Sequence, residues 1–321
     1  MAGLKAWWRD KFGKSAQQEQ PPGAAVDRGE KAEVASEVSP ASGATAVSPP
    51  AAELPQSWKT SGVFAIGWAT DVGRVRGHNE DALLVVSSEQ EANNAAPAFG
   101  LFMLADGMGG HQSGEAASSL ALRVAGSQLL SQVYMPLISG LARGGDQPSL
   151  TDIVREAISQ ANRAVTRDLP GSGSTLTCGM ILEDRLFIGH VGDSRAYLLR
   201  MGQPPRQLTK DHSLVNRLME MGQLTEDEAA VHPQRNVLYR AIGQGGALEI
   251  DVMTYMLTPG DRLLLCSDGL WGLVEEAEIW RLIQQAATPQ QACAQLVEAA
   301  NAAGGNDNIT VVLTEFWPKS Q

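Results

Sequence analysis

RLLLCSDG, residues 262–269, is an apolar run that stops at an acid and a glycine, and LFMLADG, residues 101–107, repeats the arrangement. Runs of this length and composition, bounded by turn signals, read as strands buried in a core. A carboxylate at the end of such a strand gives up hydration on folding. Working outward, more acids stand in turn-like contexts: Glu80-Asp81, Asp193 within Gly192-Asp193-Ser194-Arg195, and Asp307-Asn308 ahead of a last strand-like stretch, Ile309 to Phe316. Taken singly, Asp-Gly is an ordinary hairpin dipeptide. As a set, acids gathered at strand ends would repel one another unless a cation sat among them. Oxygen donors with neither Cys nor His beside them favour Mg2+ or Mn2+ over zinc.

Strand patterns are expected at 63–70, 82–87, 100–105, 174–182, 185–191, 195–200, 249–257, 262–267 and 308–316. Ser113 is placed to cap a helix reaching about Val133, and further helices fit 151–168, 275–286 and 289–303. Consecutive strands joined by tight turns, with helices grouped rather than alternating, predict an α+β fold with antiparallel sheets instead of a doubly wound parallel one. Residues 204–242 interrupt the strand pattern. There Gly222 is placed to end a helix from Leu214 to Met221, and Thr225 with Glu228 makes a capping box for a second.

With 321 residues, 43% of them hydrophobic, the chain has material for one large domain and a tail. A net charge of -11 argues against nucleic acid as partner, since duplex binding needs a basic footprint. Cys178, Cys266 and Cys293 are scattered without paired spacing, which points to a reducing compartment. Residues 15–57, rich in Ala, Pro, Ser, Gln and Glu, read as a disordered linker. Ahead of them, MAGLKAWWRDKFGK (1–14) could place Leu4, Trp7, Trp8 and Phe12 on one side of a short helix with basic residues elsewhere: a contact for a membrane surface or partner, or an unstructured start with incidental aromatics. No apolar core of signal-peptide length is present, so the expected location is cytoplasmic, peripheral at the inner membrane surface if residues 1–14 dock there.

The ordered series DVGRVRGHNEDA (71–82), ADGMGGH (105–111), GSTL (173–176), GHVGDSRAYL (189–198), CSDGLWGLV (266–274) and GGNDNITVV (304–312) resembles the metal-dependent Ser/Thr protein phosphatases of type 2C, the PPM family, in its bacterial form. The resemblance covers residues 61–316. It implies a four-layer sandwich of two stacked antiparallel β-sheets flanked by helices on both sides. A phosphatase domain at 61–317 would carry a flap at about 204–242, behind a tail at 1–60. By resemblance Asp81, Asp106 with the Gly107 carbonyl, Asp268 and Asp307 hold two core ions, Glu80 reaches the site through water, and Asp193 with Asp268 matches a third, outer ion site. Arg76 falls where the family keeps its phosphate-binding arginine, with Arg74 a nearby substitute. Asn308 is placed either to orient Asp307 or simply to shape the turn. Animal-type members carry a histidine where this chain has Met108. His78 and His111 flank the motifs, and the general acid stays unassigned between them and neither.

Hydrolysis of a phosphomonoester needs an in-line hydroxide and neutralisation of charge on the non-bridging oxygens. Two ions about 3.5 to 4 Å apart can share a water and bring its pKa from about 15.7 toward about 7. A guanidinium forks onto two phosphate oxygens, and no side-chain nucleophile is required. The expected function is hydrolysis of phosphoserine and phosphothreonine in phosphorylated proteins, by a monomer opposing a bacterial Ser/Thr kinase. A catalytically silent phosphatase-like domain that binds a partner, and a two-metal phosphodiesterase or nuclease, are the alternatives. The intact acidic set disfavours the first and the acidic surface disfavours the second.

Overall fold

The apolar runs and alternating stretches pair into two antiparallel sheets. The computed structural model describes Trp58 and residues 62–89, 96–109, 112–140 and 148–318. In chain order these form β1 (Phe64–Asp71), β2 (Asp81–Ser88), β3 (Phe99–Met108), α1 (Gln112–Leu129), α2 (Leu150–Asp168), β4 (Gly173–Ser174), β5 (Leu176–Leu182), β6 (Arg185–Val191), β7 (Arg195–Leu199), β8 (Arg206–Gln207), α3 (Leu214–Glu220), α4 (Glu226–Ala230), β9 (Asp251–Met256), β10 (Arg262–Cys266), α5 (Asp268–Trp271), α6 (Glu276–Gln285), α7 (Pro289–Ala302) and β11 (Ile309–Phe316). α1 runs on through a π-helical turn, Leu130–Tyr134, into Met135–Ile138. One sheet has the order β1-β11-β10-β7-β8; the other has β2-β3-β5-β6-β9 with β4 attached to β3.

Three apolar layers hold the four-layer stack together. Phe64, Phe102, Ile188, Leu198, Leu263, Leu265 and Phe316 fill the space between the sheets. Ala117, Ala121, Ala125, Val154, Ala157, Ile158 and Ala161 from α1 and α2 cover the outer face of the second sheet. Ile279, Ile283, Ala292, Leu296 and Ala300 from α6 and α7 cover that of the first. Strands β10 and β11 are buried along their whole length because each is covered on both faces, so RLLLC and ITVVLTEF carry apolar residues at consecutive positions rather than in strict alternation. β1 is an edge strand, and the Gln290 side chain blunts it: Trp68 N donates to Gln290 Oε1 at 3.2 Å and Gln290 Nε2 donates to Trp68 O at 2.8 Å.

Expected helix signals at 214–230 hold. Gly222, at φ 68°, follows α3, and the Thr225–Glu228 capping box opens α4. Three local expectations change. α1 begins at Gln112, so Ser113 lies inside its first turn and is not its cap. The two Asp-Gly pairs at strand ends are not turns. Asp106-Gly107 lies within β3 and Asp268-Gly269 opens α5, and neither glycine has a positive φ. They are glycines because backbone crowds them: a Cβ at Gly107 would stand 2.2 Å from Gly114 O, and one at Gly269 2.0 Å from Asn308 O.

The third change concerns the tail. Residues 1–57, with the contact helix expected at 1–14, lie outside the described residues. Trp58, which a boundary at residue 60 assigns to the tail, is buried in the fold. Its backbone N donates to Glu315 Oε2 at 2.9 Å, its Nε1 donates to Ala286 O at 2.9 Å, and its ring lies 3.7 Å from the Arg262 guanidinium carbon.

Candidate metal centre

Sheet register carries the acids to one end of the sandwich. Asp81 and Asp106 face each other as the last antiparallel pair of β2 and β3. In the other sheet Cys266 of β10 pairs with both Val311 of β11 and Arg195 of β7, so Asp268, Asp307 and Asp193 all emerge just past that row. A cleft of about 410 Å³ opens there, lined among others by Arg76, Glu80, Asp106, Gly107, Asp193, Asp268 and Asp307. The structure thus brings together all the acids named from the sequence, with Asp81 seated beneath the cleft instead of on its wall. Arg76 lines the cleft at a half-exposed rim and Arg74 does not line it.

Hydrogen bonds fix the surrounding backbone. Asn308 Oδ1 accepts from Glu80 N at 2.7 Å, while its Nδ2 donates to Val72 O and His78 O, each at 2.9 Å. Asn308 therefore ties the 72–80 loop to the head of β11, a larger task than shaping its own turn. Gly107 N and Ser118 Oγ both donate to Glu80 O, and a Cβ on Gly114 would lie 2.0 Å from Glu80 Oε2, so α1 starts hard against Glu80. Thr175 joins three elements: its Oγ1 accepts from Asp106 N at 2.9 Å and lies 2.7 Å from Ser194 Oγ, and its backbone N donates to Asp106 O at 2.8 Å.

The acids themselves are poorly compensated. Burial, with the neighbouring charges of Asp268 and Asp307, pushes the Asp81 carboxyl up to about 7, although Ser267 Oγ donates to its Oδ2 at 2.9 Å. Burial and Asp307 push Asp268 up to about 6. Asp106 and Asp193 are raised well above the ordinary carboxylate range, first by burial and then by each other's neighbours in the ring. Asp81 Oδ1 and Asp268 Oδ1 are buried without a hydrogen-bond partner among the described residues. Asp307 is engaged elsewhere, its Oδ2 accepting from Arg76 Nη2 at 2.6 Å and its Oδ1 from Asn308 N at 2.9 Å. No three His, Cys, Asp or Glu side chains among the described residues close on one point as a finished cage. What fits the cleft to a divalent cation is the chemistry of its donors: hard oxygens, buried, mutually repelling, two of them orphaned.

Sequence reasoning passed over several lining residues. Thr175 belongs to GSTL, a motif to which no role was given, and Asn236 and Leu238 reach the cleft from the segment 204–242. His232-Pro233-Gln234-Arg235-Asn236, a turn-rich string inside that segment, was the available signal. His78 and Met108 also line the cleft, while His111 lies outside the described residues.

Comparison with known proteins agrees with this geometry along most of the chain. The model of the family described as protein phosphatase 2C matches residues 75–301. The serine/threonine phosphatase stp of Listeria innocua is 36% identical over 246 residues, spanning 77% of this chain and 93% of that protein. The crystal structure of the Mycobacterium tuberculosis serine/threonine phosphatase PstP/Ppp superposes with a TM-score of 0.64 at 34% identity, covering 79% of this chain and 99% of that one. A structure of the PstP catalytic domain in complex with two manganese ions gives 0.62 at 33% identity, with coverage of 79% and 99%. With its acids gathered where two antiparallel sheets end and its motifs in family order, this chain belongs to the protein phosphatase 2C family and is a metal-dependent phosphoprotein phosphatase of the bacterial Ser/Thr type.

Proposed function

We propose that the cleft hydrolyses phosphoserine and phosphothreonine in proteins with two Mg2+ or Mn2+ ions held by Asp81, Asp106, the Gly107 carbonyl, Asp268 and Asp307. In this reading Glu80 acts through water, and Asp193 with Asp268 takes a third, more weakly held ion. The supporting observation is the meeting of these carboxylates, from both sheets, in one cleft where Asp81 and Asp268 each keep a buried oxygen without a partner. Ions bound there supply charge neutralisation for phosphoryl oxygens and a water acidic enough to ionise near neutral pH.

The chain's own residues do the rest. Arg76 sits at the rim with its charge secured by Asp307, and exchanges that partner for two phosphate oxygens when substrate arrives. Thr175 holds the Asp106 and Asp193 backbones in a common frame through Asp106 N and Ser194 Oγ. The three cysteines are buried, and burial pushes each thiol up to about 12, so none serves as nucleophile. Asn236 and Leu238 give the segment 204–242 a wall of the cleft, consistent with a flap that meets the protein substrate.

In this reading the enzyme is a cytoplasmic monomer acting against a Ser/Thr kinase, and residues 1–14 are either a membrane-surface contact or an unstructured start. Free, buried cysteines support a reducing compartment, and no helix among the described residues is long and apolar enough to cross a membrane. A silent, partner-binding domain is disfavoured because every expected acid is present, Asp81 beneath the cleft and the others lining it. The deciding assay is phosphate release from a phosphothreonine peptide. Release should require Mn2+ or Mg2+, stop with chelator and resume on adding metal back. Undiminished release in chelator, or none with either ion, overturns the reading.

A further inference from the structure

The incoming root of the segment 204–242 is tied to the turn that carries Asp193, and the outgoing root is tied to the incoming one. On the incoming side His212 N donates to Gly192 O at 2.8 Å, and Gly192 N donates back to His212 Nδ1 at 3.1 Å. Arg195 grips Asp211 through Nε and Nη2, at 3.1 and 2.7 Å, and Ala196 N donates to Thr209 Oγ1 at 3.0 Å. On the outgoing side Tyr239 N donates to His212 O at 2.9 Å and Leu214 N to Val237 O at 2.7 Å, so the two roots close on each other over His212. The other flank of the turn is held by α5: Trp271 Nε1 donates to Asp193 O at 3.1 Å, and the Arg195 guanidinium carbon stands 3.7 Å from the Trp271 ring.

His212 is the joint in this arrangement. It is fully buried, and its two ring nitrogens face two different elements. Gly192 N–H can only donate, so Nδ1 accepts, while Nε2 lies 3.2 Å from Asp251 Oδ2 on β9 and 3.3 Å from Arg240 Nη1. Arg240, from the outgoing root, donates to Asp251 Oδ1 at 3.3 Å and also pairs with Glu249. Below lies His190, 4.9 Å away ring to ring, pushed down to about 3 by burial and by His212. Its Nδ1 meets Thr177 Oγ1 at 2.9 Å and its Nε2 meets Lys210 O at 3.1 Å, packing the floor under the joint without adding charge.

We propose that His212 is a positioning residue of the phosphatase reaction: by bonding Gly192 and Asp251 at once it makes the flap and the Asp193 turn one mechanical unit, so that a phosphoprotein seated on the flap sets the pose of the Asp193 carboxylate. The inference rests on the cleft reading given above for its substrate. Coupling of this kind is reciprocal: loosening either partner loosens the other.

Two isosteric variants of the full-length enzyme separate the joint's two bonds. In His212→Asn the side-chain oxygen stands near Nδ1 and still accepts from Gly192. In His212→Gln the amide reaches toward Asp251 and leaves the Gly192 N–H unmatched. Turnover of a phosphothreonine protein and of p-nitrophenyl phosphate, amide hydrogen exchange in chelator and thermal midpoints are compared. His212→Gln should lose about tenfold in kcat on the phosphoprotein, the equivalent of one unmatched buried N–H. It should lose far less on the aryl phosphate, which is too small to press the flap. Exchange should quicken in residues 192–195 and in 213–242 together, and His212→Asn should stay near wild type in the turn. Equal losses in both variants, on both substrates and in step with the thermal midpoint, would mean that His212 only packs the core.

If neither His212 variant folds, Trp271→Phe removes the Nε1 bond to Asp193 O from the α5 side and keeps a ring under Arg195. It should quicken exchange across 213–242, and an unchanged flap refutes the coupling. The exchange measurement needs neither metal nor turnover, so an inactive wild type would sink the function proposed for the cleft while the coupling is still decided.

Discussion

Strand β10 carries buried charge at both ends, and the ends are built on opposite rules. Past its exit, Asp268 joins Asp81, Asp106 and Asp193 in a ring of carboxyls that burial pushes up from the ordinary aspartate range. At its entry, Arg262 is 1% exposed and pairs with Glu315, also 1% exposed, at 3.0 Å, beneath the Trp58 ring. The entry end has opposite charges and a lid; the exit end has a deficit that a cation would fill. Uncompensated buried charge marks a site built to bind, and compensated buried charge marks a fastening.

Breaking the exit end should cost activity and spare the fold. Asp268→Asn removes charge at constant volume, so turnover of a phosphopeptide should fall by several orders of magnitude while the ion-free protein melts no lower than wild type. Steady-state kinetics beside calorimetric melting in chelator checks this. Activity within tenfold of wild type would remove Asp268 from the centre.

The entry end should answer in the opposite sense. Glu315→Gln strands the Arg262 charge, whose Nη1 already lacks a partner among the described residues, and should destabilise by about 3–5 kcal/mol with activity per folded molecule unchanged. Denaturant titration beside active-site-normalised turnover separates the two.

A smaller effect distinguishes Trp58 from what precedes it. Deletion of residues 1–57 should shift stability by no more than about 0.5 kcal/mol, whereas the same deletion carrying Trp58→Ala should lose about 3 kcal/mol by leaving the slot over Arg262 empty. Equal stability of the two truncated forms would return Trp58 to the tail.

The smallest effect is a slope with pH. The folded, ion-free protein holds protons on Asp81 up to about 7 and on Asp268 up to about 6, while unfolded aspartates release theirs near about 3.9. Between these values the folded state binds more protons than the unfolded state. The stability these groups contribute is therefore complete below about pH 4 and is lost as pH rises through 6 to 7. In chelator the melting temperature of wild type should fall relative to Asp268→Asn from pH 5 to pH 8, and saturating Mn2+ should abolish that difference in slope. A difference of opposite sign would show that burial does not raise these carboxyls.

What the residues alone determined is whatever is encoded locally: buried runs for β3, β10 and β11, the capping box at Thr225–Glu228, the glycine after α3, and a set of acids whose number and position call for a cation. The rest needed the chain to meet itself. Gly107 and Gly269 look like turn glycines in sequence, and only the approach of Gly114 O and Asn308 O shows that close packing excludes a side chain there. Trp58 looks like tail, yet its hydrogen bond to Glu315 spans 257 residues, a separation that neither composition nor periodicity can register. The fastening of the flap to the Asp193 turn through His212 is of the same kind. Propensity, capping and alternation act over a few residues and so appear in the string, whereas desolvation and steric exclusion depend on which distant atoms share a space, and that is decided only when the sheets stack.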